Sequence, residues 1–248
     1  MGEKQRTAVV TAAASGIGLA IAAALVRDGY RVVMSDIDGE RGEAEAARIG
    51  AEFRRCDVRD ESELVALFAG LKDVHALVNN VGIAGPTAPA HTLDVAAFRD
   101  TLEVNLVSHL RACQLAVPGM IRRKAGVIVS LASIAGRICH PNRSAYCASK
   151  WGVLGLVRTL AIELGPHDIR VNAVLPGPVA GARMERIIAD VEAAEGVDSA
   201  TAEHRYLRGQ AIQRFIEPTE VADVVAYLCS DRAASISGAF YDVNSWHA

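Results

Sequence analysis

The chain has few cysteines, and they show no pattern that would bind a metal or build a disulfide framework. The 248 residues include five, which are scattered, odd in number and without a C-x-x-C pair. Because such usage is typical of reduced thiols, we expect a cytoplasmic protein. The seven histidines are equally dispersed. Cys139 adjoins His140, but no further ligands follow at metal spacing, so we expect no metal.

An excess of charge of one sign is also lacking. The 26 basic and 29 acidic side chains leave a formal net charge of −3, and no basic run indicates a nucleic-acid partner. Apolar windows are interrupted by charge or glycine well before the ~20 residues that span a bilayer. The first residues, MGEKQRTAVV, carry charges where a signal peptide needs an apolar core. We therefore expect no nucleic-acid partner, no membrane insertion and no export signal.

What is present is an alternation of short β-branched runs with longer helical patterns. This rhythm is typical of βαβ units and predicts an α/β fold, a Rossmann-like doubly wound parallel sheet with helices on both faces. With no linker or repeat, residues 1–248 are predicted to form a single domain. The predicted strands are TAVV, RVVMSD, AEFRRCDV, HALVNNVG, GVIVSLAS, RVNAVLPG and GAFYDV, and the predicted helices cover about 16–28, 39–49, 60–71, 94–117, 145–164 and 218–230.

Residues 181–210 interrupt the alternation. They are rich in charge and have no strand partner, which predicts a helical insertion near the carboxyl ends of the strands. Ligands of doubly wound sheets bind at those ends. The insertion is either a lid over a substrate or a solvated pair of helices.

The stretch TAAASGIG, residues 11–18, lies between a strand and a helix, where a dinucleotide-binding loop is expected. It lacks the first glycine of G-x-G-x-x-G and keeps only Gly16 and Gly18. The next strand ends in Asp36, a carboxylate suited to the adenosine ribose hydroxyls of NAD and repulsive to a 2′-phosphate. An acidic residue at a strand end, such as Asp36 on its own, is more often a turn former than a ligand. If it is a ligand, NAD is favoured over NADP.

The stretch SAYCASK puts Tyr146 and Lys150 four residues apart at the start of a predicted helix, so both project from one face. A phenol with a pKa near ~10 is a poor base at neutral pH, but a nearby ammonium favours the phenolate. Tyr146 would then exchange a proton with an alcohol or carbonyl as hydride moves to or from a nicotinamide.

Together these motifs resemble the short-chain dehydrogenase/reductase family, in its compact one-domain members, from about residue 6 to about residue 243. In that family the loop reads T-G-x-x-x-G-I-G, which TAAASGIG matches except at Ala12. Further motifs follow in the family's order. They are CDV with Asp57, NNVG, Asn105, Ser133, the Tyr146 and Lys150 pair, and PGPV.

The resemblance implies a role for each matching residue. Tyr146 would be the acid/base, Ser133 would orient the substrate oxygen, Lys150 would bind the nicotinamide ribose and lower the tyrosine pKa, and Asn105 would hold a water of the proton relay. The pyrophosphate would lie at the amides of the first helix. The implied cofactor positions are Thr11, Ser15, Gly16, Ile17, Gly18, Asp36, Ile37, Asp57, Val58, Asn79, Val81, Tyr146, Lys150, Pro176, Gly177 and Val179.

The chain departs from the family pattern in four places. Ala12 replaces a glycine, and we expect its φ to be negative, because a positive value would cost an alanine of order 1 kcal/mol. Val81 replaces a smaller residue beside the cofactor. Gly181 stands where a threonine hydroxyl is usual, which leaves backbone contacts for the carboxamide. Val243 and Asn244 replace the glycines after the last strand.

The expected activity is that of an NAD-dependent enzyme acting on CH–OH groups of a small polar metabolite of polyol, sugar-like or hydroxy-acid type. The alternatives are an NADPH-dependent 3-oxoacyl thioester reductase and a non-catalytic nucleotide-binding regulator. Several polar residues near the predicted site either bind substrate or only shape their own loop. These are Arg137, His140, Asn142, Arg143 and Arg183.

The resemblance also implies a homotetramer, or a homodimer, packed through the helices near 94–117 and 145–164. Apolar residues of the second helix serve either that contact or the core. They are Val153, Leu154, Leu156 and Val157.

Overall fold

The computed structural model describes residues 5–71 and 73–245, and its centre is a seven-stranded sheet. Every pair of neighbouring strands is parallel. This confirms the predicted Rossmann-like class. The strands are β1 Thr7–Thr11, β2 Arg31–Asp36, β3 Glu52–Arg55, β4 Val74–Asn79, β5 Gly126–Leu131, β6 Ile169–Pro176 and β7 Phe240–Val243.

The strand order is β3-β2-β1-β4-β5-β6-β7, so the chain reverses its direction of travel across the sheet between β1 and β4. Val10 of β1 pairs with Met34 of β2 on one side and Val78 of β4 on the other. Connections leave such neighbours in opposite directions, which opens a crevice at their carboxyl ends. The loop after β1 and the motif NNVG both begin at this crevice.

Helices cover both faces of the sheet. Successive residues of a strand point to opposite faces, and β1 shows this directly. Val10 packs in one buried cluster with Ile21 and Val225, whereas Val9 packs in the other with Leu64. The α-helices are α1 Gly16–Arg27, α2 Gly39–Ile49, α3 Glu61–Phe68, α4 Val95–Leu102, α5 Ser108–Arg123, α6 Ser144–Leu164, α7 Ala182–Glu195, α8 Ser199–Leu207 and α9 Pro218–Cys229.

The helix predicted near 94–117 differs most from the structure. It is divided into α4 and α5 by one π-helical segment, Glu103–Val107, and α5 continues to Arg123. The region 181–210 contains α7 and α8, which pack on each other. In α6, Val153, Leu154 and Val157 are buried in the core. No helix in the described part of the chain is long and apolar enough to cross a bilayer.

Candidate active site

The loop after β1 is closely packed around Gly18. A Cβ built on Gly18 would overlap the carbonyl oxygen of Ala12 and the side-chain amide of Asn80, so only glycine fits. Gly16, the first residue of α1, has a φ of 54° and open space where a side chain would project. Ser15 is exposed and precedes the helix as its N-cap. The first amides of α1 are thus accessible to an anion.

Ala12 has a left-handed backbone, with a φ of 51°. The prediction of a negative φ is therefore wrong. The Asn80 side-chain amide donates 3.0 Å hydrogen bonds to the carbonyl oxygens of Thr11 and Ala12. The backbone amide of Ala13 donates to the carbonyl of Ser35 at 2.9 Å. These bonds hold the turn and offset the strain that an alanine carries there.

Asp36 lies at the carboxyl end of β2 and faces the same loop. Its carboxylate accepts hydrogen bonds from the backbone amides of Ala14 at 3.0 Å and Asp38 at 3.1 Å. Ile37, the next residue, is 52% exposed. An anionic side chain therefore borders the open crevice where the sequence predicts an adenosine ribose.

Asp57 lies beyond β3 in an ion pair. Arg59 donates to its carboxylate at 2.8 Å. The bonds from the side chain and backbone of Arg59 hold the pKa of Asp57 below its ordinary value, against the opposing effect of partial burial. Val58 is buried. The Asp57 carboxylate is thus engaged within the chain, next to the predicted adenine position.

In NNVG, the two asparagines point in different directions. Asn79 is 1% exposed, and its amide nitrogen lies 3.5 Å from the carbonyl oxygen of His109 and the sulfur of Cys113 on α5. The side chain that reaches the loop is Asn80, which the sequence analysis missed. The sequence could have indicated Asn80, because it is a second polar residue directly after a buried strand. Successive side chains there point to opposite faces of the sheet, so only one of the two asparagines can face the loop. Val81 is anchored through its amide, which donates to the Thr11 hydroxyl at 3.2 Å.

Tyr146 and Lys150 lie in the first two turns of α6, with the Lys150 nitrogen 5.8 Å from the centre of the tyrosine ring. Lys150 is 3% exposed and donates to the carbonyl oxygen of Leu131, at the end of β5, at 2.8 Å. Ser133 follows that strand, and its side chain hydrogen-bonds Tyr146. The structure thus brings together three of the predicted catalytic residues.

The pKa of Tyr146 is lowered from its ordinary value. Burial acts to raise it, but the positive charges of Lys150, Arg183 and Arg143 and the hydrogen bond from Ser133 together outweigh burial. Burial also lowers the pKa of the Lys150 ammonium, which the neighbouring tyrosine partly counters. Both changes favour proton exchange at the phenol nearer to neutral pH.

Asn105 is fully buried in the π-helical segment between α4 and α5. Its Oδ1 accepts from the Ile83 amide at 2.8 Å, and its Nδ2 donates to the Ile83 carbonyl and to the Ser149 hydroxyl, both at 3.0 Å. A Cβ on Gly82 would lie 3.2 Å from the Lys150 nitrogen and 3.5 Å from Asn105 Oδ1. Lys150 and Asn105 therefore both lie close to Gly82, and NNVG joins this point to the loop after β1.

The comparison that decides the family covers almost the whole chain. A family model described as Enoyl-(Acyl carrier protein) reductase matches residues 11–245.

The chain belongs to the short-chain dehydrogenase/reductase family. It is an oxidoreductase of the group that acts on hydroxyl groups. The cis-4-hydroxycyclohexanecarboxylate dehydrogenase of Sinomonas cyclohexanicum is 39% identical, with 98% of each chain covered.

Two solved structures of the family bind different nicotinamide cofactors. A variant of actinorhodin polyketide ketoreductase with NADPH has a TM-score of 0.92 at 32% identity, covering 97% of this chain and 96% of that one. The NAD+-bound xylitol dehydrogenase has a TM-score of 0.90 at 28% identity, covering 99% and 100%. A nicotinamide cofactor is therefore common to the family, and the choice between NAD and NADP varies within it.

In this short-chain dehydrogenase/reductase, the segment after β6 offers backbone groups to the site. The Pro178 carbonyl accepts from Ile216 at 2.9 Å, and the Ala180 amide donates to the Ile216 carbonyl at 2.8 Å. The peptide groups of Val179, between them, point away from Ile216, as alternation in a strand requires. Pro176 ends β6, and the Gly177 amide donates to Val243 at 3.0 Å.

Gly181 begins α7 with a φ of 122° and a ψ of 178°. Side chains other than hydrogen are strongly disfavoured in that conformation. The family's usual threonine is therefore absent at a position where the backbone conformation would strain a threonine.

The polar residues near the site separate into two groups. The guanidinium carbons of Arg143 and Arg183 lie 5.2 and 5.8 Å from the centre of the Tyr146 ring. Arg137 instead pairs with Asp242 of β7 at 2.8 Å. The Asn142 carbonyl accepts from Ala88 at 3.0 Å. Burial, and then Arg143, lower the pKa of His140.

Metal ligands are not grouped in the described part of the chain. Among residues 5–71 and 73–245, no three His, Cys, Asp or Glu side chains converge on a point where they could hold an ion.

Proposed function

We propose that this enzyme transfers a hydride between NAD(H) and a secondary alcohol or ketone of a small polar metabolite, with Tyr146 as the acid/base. The observation that carries the proposal is the phenol of Tyr146 beside the buried ammonium of Lys150 and the Ser133 hydroxyl, at the carboxyl ends of the strands. Groups that lower the pKa of a tyrosine at the carboxyl ends of the strands are typical of a site of proton transfer.

Several features of this chain fit a dinucleotide. Gly16 and Gly18 leave the first amides of α1 open to a pyrophosphate. The peptide groups of Val179 suit a carboxamide. The carboxylate of Asp36 suits ribose hydroxyls and repels a 2′-phosphate, which supports NAD.

When bound, NAD supplies the carbon that accepts a hydride. Ser133 donates a hydrogen bond to the substrate oxygen and orients it. In the oxidative direction the Tyr146 phenolate takes the hydroxyl proton, the carbon's hydrogen leaves with its electron pair, and the C–O single bond becomes a carbonyl. Lys150, held by the Leu131 carbonyl, stabilises the phenolate, and Asn105, close to Lys150 at Gly82, holds a water of the proton relay.

Substitution of the phenol tests the chemistry. Tyr146→Phe should lower kcat at least ~100-fold while NADH still binds, because only the proton-transfer group is lost. The assay is NADH formation with 4-hydroxycyclohexanecarboxylate, the alcohol of the 39% identical relative, and xylitol. Tyr227→Phe, on α9, is the matched control. Full turnover by Tyr146→Phe would overturn the mechanism.

A second candidate is NADPH-dependent reduction of a 3-oxoacyl thioester, favoured by the likeness to the polyketide ketoreductase with NADPH. Fluorescence titration with NADH and NADPH separates the two candidates. Tighter binding of NADPH would contradict the role given to Asp36.

We also propose a cytoplasmic location, supported by five free thiols, and cell fractionation tests it.

A further inference from the structure

Two arginines from different elements lie over the ring of Tyr146. Arg143 immediately precedes α6, and Arg183 lies in the first turn of α7. The distances from their guanidinium carbons to the ring centre are 5.2 and 5.8 Å. Because α7 belongs to the helical insertion, the second arginine brings a side chain of that insertion to Tyr146.

Neither arginine is neutralised by a carboxylate of the described chain. Arg143 donates to the Thr87 hydroxyl at 3.0 Å, and no ion pair within residues 5–71 and 73–245 includes Arg143 or Arg183. Some exposed arginines elsewhere have such partners, as Arg137 has Asp242 and Arg214 has Glu220, so the distinguishing feature of Arg143 and Arg183 is their position over Tyr146. With Lys150, three cations therefore surround Tyr146.

Even when Tyr146 is ionised, three cations around one phenolate leave an excess of positive charge, and an anion that joins the cluster would offset their mutual repulsion. A guanidinium binds a carboxylate or sulfonate through two parallel hydrogen bonds, and Arg143 retains donors beyond the one used by Thr87. An anion held here would fix the substrate in one orientation relative to the phenol.

We propose that Arg143 and Arg183 form an anion subsite, and that the substrate is a secondary alcohol, or its ketone, carrying a carboxylate or sulfonate within a few bonds of the reacting carbon. This inference rests on the proposed function for the reacting carbon, whereas the subsite itself is tested by binding alone. The anion subsite narrows the substrate from small polar metabolites in general to hydroxy acids, and it excludes neutral polyols.

The binding test uses the complex of the enzyme with NADH and measures dissociation constants by calorimetry. The probes are cyclohexanecarboxylate, cyclohexanesulfonate and the neutral cyclohexanecarboxamide. The wild type should bind at least one anion about 10-fold more tightly than the amide, equivalent to about 1.4 kcal/mol. Arg143→Gln and Arg183→Gln should each remove most of that preference, and Arg183→Lys should restore part of it.

Arg186→Gln is the matched control, because Arg186 is an exposed arginine of the same helix and donates back to the Ala182 carbonyl at 3.1 Å. It should keep the wild-type preference. A wild type with equal affinity for the amide and both anions overturns the subsite, and so does a preference that survives in both arginine variants. The better-bound anion identifies the acidic group.

Turnover by the Arg143→Gln and Arg183→Gln variants distinguishes the loss of an anion subsite from an indirect effect on the ionisation of Tyr146. Losing a cation near Tyr146 should slow 4-hydroxycyclohexanecarboxylate and its methyl ester alike, because both need the phenolate. Losing the anion subsite should lower kcat/KM about 10-fold more for the acid than for the ester. Equal losses overturn the subsite. If no alcohol is oxidised by the wild type, the proposed function fails while the binding result still decides the subsite.

Discussion

Ala12 has a backbone conformation that suits glycine better than alanine, because its Cβ approaches the following carbonyl when φ is positive. The strain is tolerated because Asn80 and Ser35 hold the peptide groups on both sides. The preference of alanine for a negative φ is thus overridden by hydrogen bonds to residues at the ends of β2 and β4. The glycine of the family motif is therefore a preference rather than a requirement.

Ala12→Gly should stabilise the protein by about 1 kcal/mol, because glycine adopts this conformation without strain. In a chain of this size the midpoint of thermal unfolding should rise by about 2–4 °C. Calorimetry measures it. Ala13→Gly, at a buried site outside the left-handed region, should lower the midpoint and serves as the control. A lower midpoint for Ala12→Gly would contradict the strain.

His109 is a buried imidazole of α5 that the mechanism does not use. Its Nε2 lies 3.2 Å from the Val81 carbonyl, and burial, then the charge of Lys150, lower its pKa to about 3. In the unfolded chain the His109 imidazole binds a proton near pH ~6.5, whereas in the folded chain the same imidazole stays neutral at that pH. Stability is therefore lost as the pH falls from about 6.5 towards 3.

His109→Gln should remove this pH dependence. Between pH 7 and pH 5 the wild type should lose about 2 kcal/mol more of its unfolding free energy than the variant. Urea denaturation at the two pH values gives the difference. The variant keeps an amide donor for the Val81 carbonyl, so its stability at pH 7 is the internal reference. An equal loss in both proteins would show that His109 is charged when folded.

At the scale of elements, the loops at the carboxyl ends of the strands decide the site. The π-helical segment turns Asn105 towards Ile83, and the backbone after β6 turns at Gly181. The sequence indicates the residues of both elements but not their conformation. One extra residue in a helical turn rotates the later side chains by about 100° around the axis, and such a shift of phase reads in the sequence like the end of one helix and the start of another.

Gly181→Thr should lower stability by about 1–3 kcal/mol, although it restores the family's usual residue. The cost arises in the backbone, because a Cβ there meets no atom within 4 Å. Gly181→Ala should cost a similar amount, since it has the same strain without the hydroxyl. Thermal unfolding of both variants measures the change. A Gly181→Thr variant that is as stable as the wild type would contradict the assigned strain.

At the scale of the whole molecule, the helices α5 and α6 keep apolar residues on their outer surfaces. Leu110 is 39% exposed, Trp151 49% and Ile162 77%. Of the residues assigned from the sequence either to a subunit contact or to the core, Val153 and Val157 lie in the core. These outer side chains support the expected homotetramer, or a homodimer, as a proposal.

Trp151→Glu should dissociate that assembly into smaller species, because it would bury a charge in an apolar contact. Sedimentation velocity at micromolar concentrations measures the mass. Val65→Glu, on α3 and also at a site 49% exposed, should keep the wild-type mass. A monomeric wild type would contradict the proposal.

The sequence by itself determined the class of fold, because buried parallel strands and amphipathic helices leave distinct periods along the chain. It also indicated Tyr146, Lys150 and Asp36, since a strand end or a four-residue helical spacing sets their neighbours locally. Only the tertiary structure decided which amide of NNVG reaches Ala12, and which arginines face Tyr146. Those contacts join elements far apart in sequence, and one step along a strand, or a turn of an irregular loop, reverses where a side chain points.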